Sequence, residues 1–453
     1  MVKNMFIKTV QLIIASLMFA MSSVSASPEI QHWKTANGAK VYFVPSNDIP
    51  MVDLRVVFDA GSARDAALPG TAIMTNGLLA EGAGGKSAQV LAENFEAVGA
   101  VFSNGSLKDM AWLSLRSLRD DKFLQPALTN LKDILIKPDF PEVAFQRELE
   151  RLKISVKAKK QSPSAIASER FYAEMYGDHP YALPSEGTEK SLSELKLERL
   201  KLFYKKYYVA RNAVVSIVGQ LTREEAESMV DGLLLELPAG AKAKELPEVQ
   251  PLAKAKTIHI DYPSVQSTVM MGQVGMARGD KDYFALYLAN HAFGGSGFGS
   301  RLMHEVREKR GLAYSTYSYF SPMHKAGPFQ IGLQTRNDQV DEALQIINEE
   351  LARYVNEGPG EEELQDSLKN ITGGFPLRID SNKKITEYLS VIGFYDLPLN
   401  YLNTFVGNIN SQSKAKVADA LQRRINPDKI LTVIVGSKES SAKNSSKKLK
   451  MQN

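Results

Sequence analysis

Hydrophobic and polar positions alternate with a period of two through VDLRVVFDAG (52–61) and AWLSLRSL (111–118), and the alternation returns in STVMMGQVG (267–275), AYSTYSYF (313–320) and FQIGLQTR (329–336). Side chains of a strand point to opposite faces in turn, so each segment predicts a strand. Between and after them the apolar spacing lengthens to that of a helix, in SAQVLAENFEAVGA (87–100), FLQPALTNLKDILIKPDF (123–140), PEVAFQRELERLKISVKAKK (141–160), DYFALYLANHAF (282–293), VDEALQIINEELARYVNEG (340–358) and PGEEELQDSLKNITGGF (359–375). The order of elements in the second half repeats that of the first: hairpin-like strands, then two consecutive helices. The repeat is of whole α+β units, not of a short solenoid motif. A parallel βαβ fold would instead alternate strand and helix throughout. The pattern predicts an α+β protein of two similar domains, each a mainly antiparallel sheet with helices on one face.

Composition places the boundaries. Residues 237–257, LPAGAKAKELPEVQPLAKAKT, mix Pro, Ala, Gly and Lys without alternation and predict an interdomain linker. The first residues carry Lys3 and Lys8, an apolar run from Val10 to Met21, and small residues Val24 and Ala26 before a cleavage point. That is the layout of a secretory signal, and the run is shorter than the ~20 residues needed to span a bilayer. The last stretch, GSKESSAKNSSKKLKMQN, has no apolar periodicity and reads as a disordered basic tail. The expected organisation is a signal peptide (1–26), a first domain (27–240), a linker (241–257), a second domain (258–437) and the tail (438–453). With 44% hydrophobic and 23% charged residues the 453-residue chain is an ordinary globular protein, and its net charge of +4 is too small to indicate nucleic-acid binding. An exported chain with no Cys relies on its cores and cannot carry a lipoprotein anchor, which fits a bacterial, periplasmic protein.

Candidate chemistry concentrates in residues 293–315, FGGSGFGSRLMHEVREKRGLAYS: a glycine loop, a basic helix, then an aromatic strand. Gly311 suits a left-handed C-cap that turns the helix into the strand, so Arg307 and Tyr314 are expected at either side of that turn. A guanidinium offers a planar fork of donors and a phenol one directed O–H, a pair suited to gripping a peptide. On residue types alone, Arg307 in an ion pair, for instance with Glu308, and Tyr314 as an ordinary strand aromatic is the better reading. The glycine-dense GGSGFG (294–299) is followed by no Lys-Ser/Thr pair and reads as a tight turn, not a phosphate cradle. The six His, at 32, 179, 259, 291, 304 and 324, fall singly. A metal would need scattered ligands; His304 with Glu308 is expected to be a solvated helix pair, and His291 a packing residue.

Four stretches taken together carry a resemblance: NGAKVYFVPSNDIPMVDLRVVFDAGSARD, DHPYALPSEGTEKSL (178–192), LKLFYKKYYVARNAVVSIVGQLTREEAESMVDGLLLELPAG and, above all, FGGSGFGSRLMHEVREKRGLAYS. The chain resembles the pitrilysin/insulinase (inverzincin) metallopeptidase superfamily, in particular the short bacterial members related to mitochondrial processing peptidase and the bc1 core proteins. Catalytic members carry H-x-x-E-H on a first-domain helix: two zinc-binding His one turn apart, a Glu that activates the water, and a distant Glu as third ligand. The corresponding place here reads TAIMTNGLLAEG, with Ile73 at the first His, Asn76 at the Glu and Gly77 at the second His. None of the three can take over the lost role. Glu148 and Glu150 lie near the place of the last ligand and are expected in surface ion pairs. His179, in DHPYALP, matches a loop that carries no metal.

What the resemblance implies is a non-catalytic subunit. Arg307 and Tyr314 match the arginine-tyrosine pair that the family's non-catalytic half contributes to substrate binding. This chain is then expected to hold no cofactor, and a partner subunit with H-x-x-E-H would bring the zinc and the general base. No membrane span is expected after signal cleavage. Two alternatives stand beside this one: an inert scaffold or peptide-binding protein of the same fold, and an enzyme with a relocated site, which the scattered His disfavour.

Overall fold

The computed structural model describes residues 29–438. The expected signal (1–26) and all but the first residue of the expected tail (438–453) lie outside the described residues. Among the described residues two main sheets are built from eleven strands. The first sheet comprises β1 (Gln31–Lys34), β2 (Lys40–Pro45), β3 (Met51–Phe58), β4 (Val101–Ser106), β5 (Ala111–Leu118) and β6 (Ala213–Gly219). The second comprises β7 (Lys256–Asp261), β8 (Gln266–Val274), β9 (Ala313–Phe320), β10 (Pro328–Arg336) and β11 (Leu431–Gly436).

Spatial order in the first sheet is β1-β2-β6-β3-β5-β4 and in the second β9-β10-β8-β11-β7. Only β2–β6 and β7–β11 run parallel; every other neighbouring pair is antiparallel. Read from β7, the second sheet repeats the run β2-β6-β3-β5-β4 strand for strand. The duplicated α+β architecture expected from the pattern is the architecture found.

The two faces of each sheet are served differently. Val52, Leu54, Val56 and Phe58 of β3 join the core that the first half's own helices make with Leu78, Leu131 and Phe203. On the opposite face Tyr42, Val44, Val57, Val214 and Val218 pack against Leu389, Ile392 and Phe394 of the helix Asn382–Phe394, which belongs to the second half. The exchange is reciprocal: Leu431, Val433, Val435 and Met270 of the second sheet pack against Ala167, Phe171 and Met175 of the first half's helix Pro163–Tyr176. Helices on a single face, as expected, is therefore incomplete. The reason lies in β6 and β11, which are buried at every position. A strand apolar on both sides needs a cover on both sides.

The halves are also latched. Asp109, on the β4–β5 connection and 4% exposed, accepts from the Tyr181 hydroxyl (2.7 Å), the Tyr395 hydroxyl (3.0 Å) and the backbone N–H of His324 (2.7 Å). The stretch 241–255 has neither helix nor strand, and β7 begins inside the expected linker. It is pinned along its length: Arg64 donates to Lys244 O (2.6 Å), Ala243 N–H to Asn212 Oδ1 (3.1 Å), and Leu246 is buried. Among the described residues no helix is long and apolar enough to cross a membrane.

Candidate functional site

The helix Thr71–Leu78 carries the three motif positions. Its N-terminus is held by Asp65, whose carboxylate accepts from Gly70 N–H (2.8 Å) and Ala72 N–H (2.7 Å), so donors left free by the first turn are satisfied. Ile73 is half-buried and Gly77 exposed, one turn apart on the same side. Asn76 points the other way: it is 2% exposed, and its Nδ2 donates to Trp112 O (3.3 Å) and to the Tyr208 hydroxyl (3.2 Å). Asn104 of the edge strand β4 donates to Asn76 O (2.7 Å), tying that edge to the helix.

A catalytic zinc does not fit this donor set. An aliphatic side chain and a glycine offer no lone pair, and the Asn76 amide is spent on a structural bridge. Glu148 is engaged with Arg147 (3.1 Å) and Arg151 (3.2 Å), and Glu150 with Lys153 (2.7 Å). Among the described residues no three His, Cys, Asp or Glu converge as a metal requires.

Around the second half's motif the backbone departs twice from the ordinary helix. His291–Gly295 and Met303–Glu308 are wide, π-type turns, a geometry found often at functional sites. Gly311 at φ +63° closes the second turn, with its N–H on Arg307 O (2.8 Å), as the sequence predicts. β9 then opens on an irregularity: Ala313 pairs with Thr335 but Thr316 with Leu333, so Tyr314 and Ser315 bulge from the ladder, both exposed. A bulge re-aims side chains.

The consequence is a sandwich. The Arg307 guanidinium centre lies 5.1 Å from the Tyr314 ring centroid and 4.7 Å from that of Phe298, while the two aromatic residues are 84% and 69% exposed. The cation is held by the ring faces and meets no carboxylate among the described residues. The acids around it are occupied: Glu308 by His304 (2.9 Å), and Glu305 by Lys309 (2.7 Å) and Arg310 (2.8 Å). Phe298 was not singled out from sequence; an aromatic residue inside a glycine loop was the available signal. Gly297 takes φ +66° in that loop, and a Cβ at Gly294 would run into Ser318 Oγ of β9.

The outer edge of β9 is closed from within. Thr316 N–H reaches Met303 Sδ (3.4 Å), and Ser318 O accepts from Asn290 Nδ2 (3.1 Å). His291 and His179 are held in structural hydrogen bonds. His291 lies between Ser367 Oγ (2.9 Å) and Asn370 Oδ1 (3.1 Å), and burial lowers its pKa. His179 accepts Tyr181 N–H on Nδ1 (3.1 Å), so Nε2 donates to Pro247 O (3.0 Å).

Comparison with known proteins agrees with this fold. A family model described as Insulinase (Peptidase family M16) matches residues 41–189, and one described as Peptidase M16 inactive domain matches residues 194–371. A crystal structure of a peptidase M16 inactive domain from Pseudomonas fluorescens is similar at 40% identity and TM-score 0.87, over 90% of this chain and 98% of that one. A Helicobacter pylori protease structure aligns at TM-score 0.83 over 90% of this chain and 99% of that one; at 18% identity it speaks for the fold alone. Among curated relatives, a Bacillus subtilis protein named as an uncharacterized zinc protease is 25% identical over 79% of this chain and 87% of its own. A Helicobacter pylori protein named as a non-peptidase homolog is 27% identical over 69% of this chain and 72% of its own.

Proposed function

The chain belongs to the insulinase (M16) peptidase family, and from that premise we propose that it is a non-catalytic, substrate-binding subunit of a heteromeric zinc metalloendopeptidase acting on peptides or unfolded segments. One observation carries the proposal. In a chain whose motif positions Ile73, Asn76 and Gly77 cannot hold zinc, Arg307 is nonetheless kept free of carboxylates and presented between two exposed rings.

Stacking on ring faces leaves the N–H edge of the guanidinium available. Arg307 would donate to a substrate carbonyl or carboxylate, and the Tyr314 hydroxyl would add a second donor beside it. Donors so placed also favour the oxyanion that develops on a carbonyl under attack. Zinc, when supplied by a partner of the same family carrying H-x-x-E-H, activates the attacking water and polarises that carbonyl. The β9 edge is closed at Thr316 and Ser318. A substrate bound as an added strand would therefore pair with the partner's sheet while this chain grips it from the other side. The proposal includes export to the periplasm by the signal in residues 1–26.

The test is to purify the chain and an M16 homologue that carries H-x-x-E-H, then follow cleavage of an unstructured peptide. We expect no hydrolysis by the chain alone and chelator-sensitive hydrolysis in the mixture. Arg307→Ala or Tyr314→Phe should lower kcat/KM by about tenfold to a hundredfold, the worth of one or two hydrogen bonds to a charged group, with complex formation unchanged. Hydrolysis by the chain alone would overturn the proposal. A mixture indifferent to both substitutions would leave an inert scaffold in its place.

A further inference from the structure

The helix exchanged onto the first sheet covers β2, β6 and part of β3, and leaves open the side toward β5 and the edge strand β4. A cleft of about 980 Å³ occupies that side, walled by the sheet, by the loop that follows β9 and by one flank of the helix Asn382–Phe394. None of Ile73, Asn76, Gly77, Arg307 or Tyr314 lines it.

Its charges do not balance. Five cationic side chains line it against the three carboxylates of Asp53, Asp109 and Glu387. Asp53 is taken by Arg116 in a two-point pair (2.9 and 3.1 Å). Asp109 is saturated by its three donors. Glu387 stands 3.8 Å from Arg55, a loose contact. Lys108, Arg278 and Lys383 have no carboxylate partner among the described residues. Burial draws Lys108 down to about 8, against the pull of Asp65 and Asp109, and its Nζ donates to Leu183 O (2.6 Å). Two donors are left over as well: Arg55 Nε and Arg278 Nε are both buried without an acceptor, a state that costs free energy until something accepts from them.

The remaining wall is apolar. The Arg55 guanidinium centre lies over the Trp112 indole, 4.0 Å from the ring centroid, and Val101 and Leu107 line the cleft while 61% and 54% exposed. The volume exceeds by far what a single small anion fills and lies at the upper end of ordinary ligand pockets.

We propose that this cleft is a binding site for an acidic peptide segment: an extended chain whose carboxylates engage Arg55, Arg278 and Lys383 and whose apolar side chains lie along Trp112, Val101 and Leu107. Such a ligand supplies at once the missing counter-charge and a cover for the apolar wall. The site uses none of the residues assigned to substrate gripping, and it belongs to the chain by itself.

The chain has two tryptophans, so Trp33→Phe leaves Trp112 as sole reporter inside the cleft. The probes are a decapeptide of alternating aspartate and leucine, its lysine–leucine counterpart, and inorganic phosphate, each titrated by tryptophan emission and by calorimetry. Saturable binding is expected for the acidic peptide, and none for the basic one. Arg55→Gln with Arg278→Gln should weaken it tenfold or more, and Lys383→Glu, an exposed position that tolerates change, should weaken it in a chain of unaltered circular dichroism. Arg307→Ala should leave it unchanged.

Absence of saturable binding, equal binding of the basic peptide, or affinity unaltered by Lys383→Glu would overturn the proposal. So would phosphate binding as tightly as the acidic peptide, since the cleft would then be a small-anion site. Loss of binding in Arg307→Ala alone would move the peptide to the aromatic sandwich and overturn the cleft site without touching the subunit assignment.

Discussion

The amide of Asn76 sits in a seam between helix and sheet, and its surroundings have been built for a donor. Trp112 O and the Tyr208 hydroxyl both take hydrogens from Nδ2. A glutamate there has none to give: the tyrosine could turn to donate, but Trp112 O would face a buried carboxylate. Asn76→Glu should therefore cost about 2–3 kcal/mol, the scale of an unmet buried acceptor beside a desolvated acid. Gly77→His is the opposite case. A Cβ at Gly77 meets nothing within 4 Å, and almost any residue is a better helix former than glycine, so this change should be neutral or gain a few tenths of a kcal/mol. Urea denaturation of the two single variants checks both signs. Equal stability of Asn76→Glu and the parent would mean that the seam is not committed to an amide.

At the scale of elements, the alternating segments were readable as strands, which run over 51–58, 111–118, 266–274, 313–320 and 328–336. Of these, only β5 and β9 bury a single face, while β3, β8 and β10 are covered on both. β6 and β11 are buried throughout and carry no such alternation; periodicity alone cannot tell a doubly covered strand from a piece of buried helix. Nor does a local apolar stripe say which sheet it serves, so the exchange of Pro163–Tyr176 for Asn382–Phe394 was not legible. The motif positions and the Arg307–Tyr314 pair were reached through resemblance. The Phe298 contact depends on a bulge and two wide turns that leave no mark in spacing. The exchange makes its own prediction. Gly393 faces Tyr42 and Val214, and a Cβ there would come within 2.5 Å of each. Gly393→Val should cost about 1–3 kcal/mol through overpacking, whereas Gly373→Ala, with nothing within 4 Å of its Cβ, should be neutral or stabilising. Thermal melts of the two variants separate wedge from propensity, and a Gly393→Val melt at the parent's Tm would show that the seam yields.

For the molecule as a whole, the exchanged helices mean that neither half completes its core alone, so the two halves should unfold in one transition. The Asp109 latch sits where the connection of one sheet meets the loop after β9 of the other, and the same loop forms a wall of the open cleft. Asp109→Ala removes the acceptor shared by Tyr181, Tyr395 and His324 N–H. Three donors lose their partner together, the Tyr181 hydroxyl fully buried and the other two half-buried, and with about 1–3 kcal/mol for each buried unmet group the loss should be about 3 kcal/mol. Asp109→Asn keeps the oxygen shared by Tyr395 and His324 N–H and turns an NH2 toward the Tyr181 hydroxyl, and should cost less. Hydrogen exchange distinguishes a local from a global effect: amides from Ser321 to Lys325 should lose protection first in Asp109→Ala, ahead of those in β3 and β6, because this loop is held to the first half through that carboxylate. Protection lost evenly across both sheets would place the variant's whole effect in global stability, and the wall of the cleft would then owe its position to the exchanged helices and not to the latch.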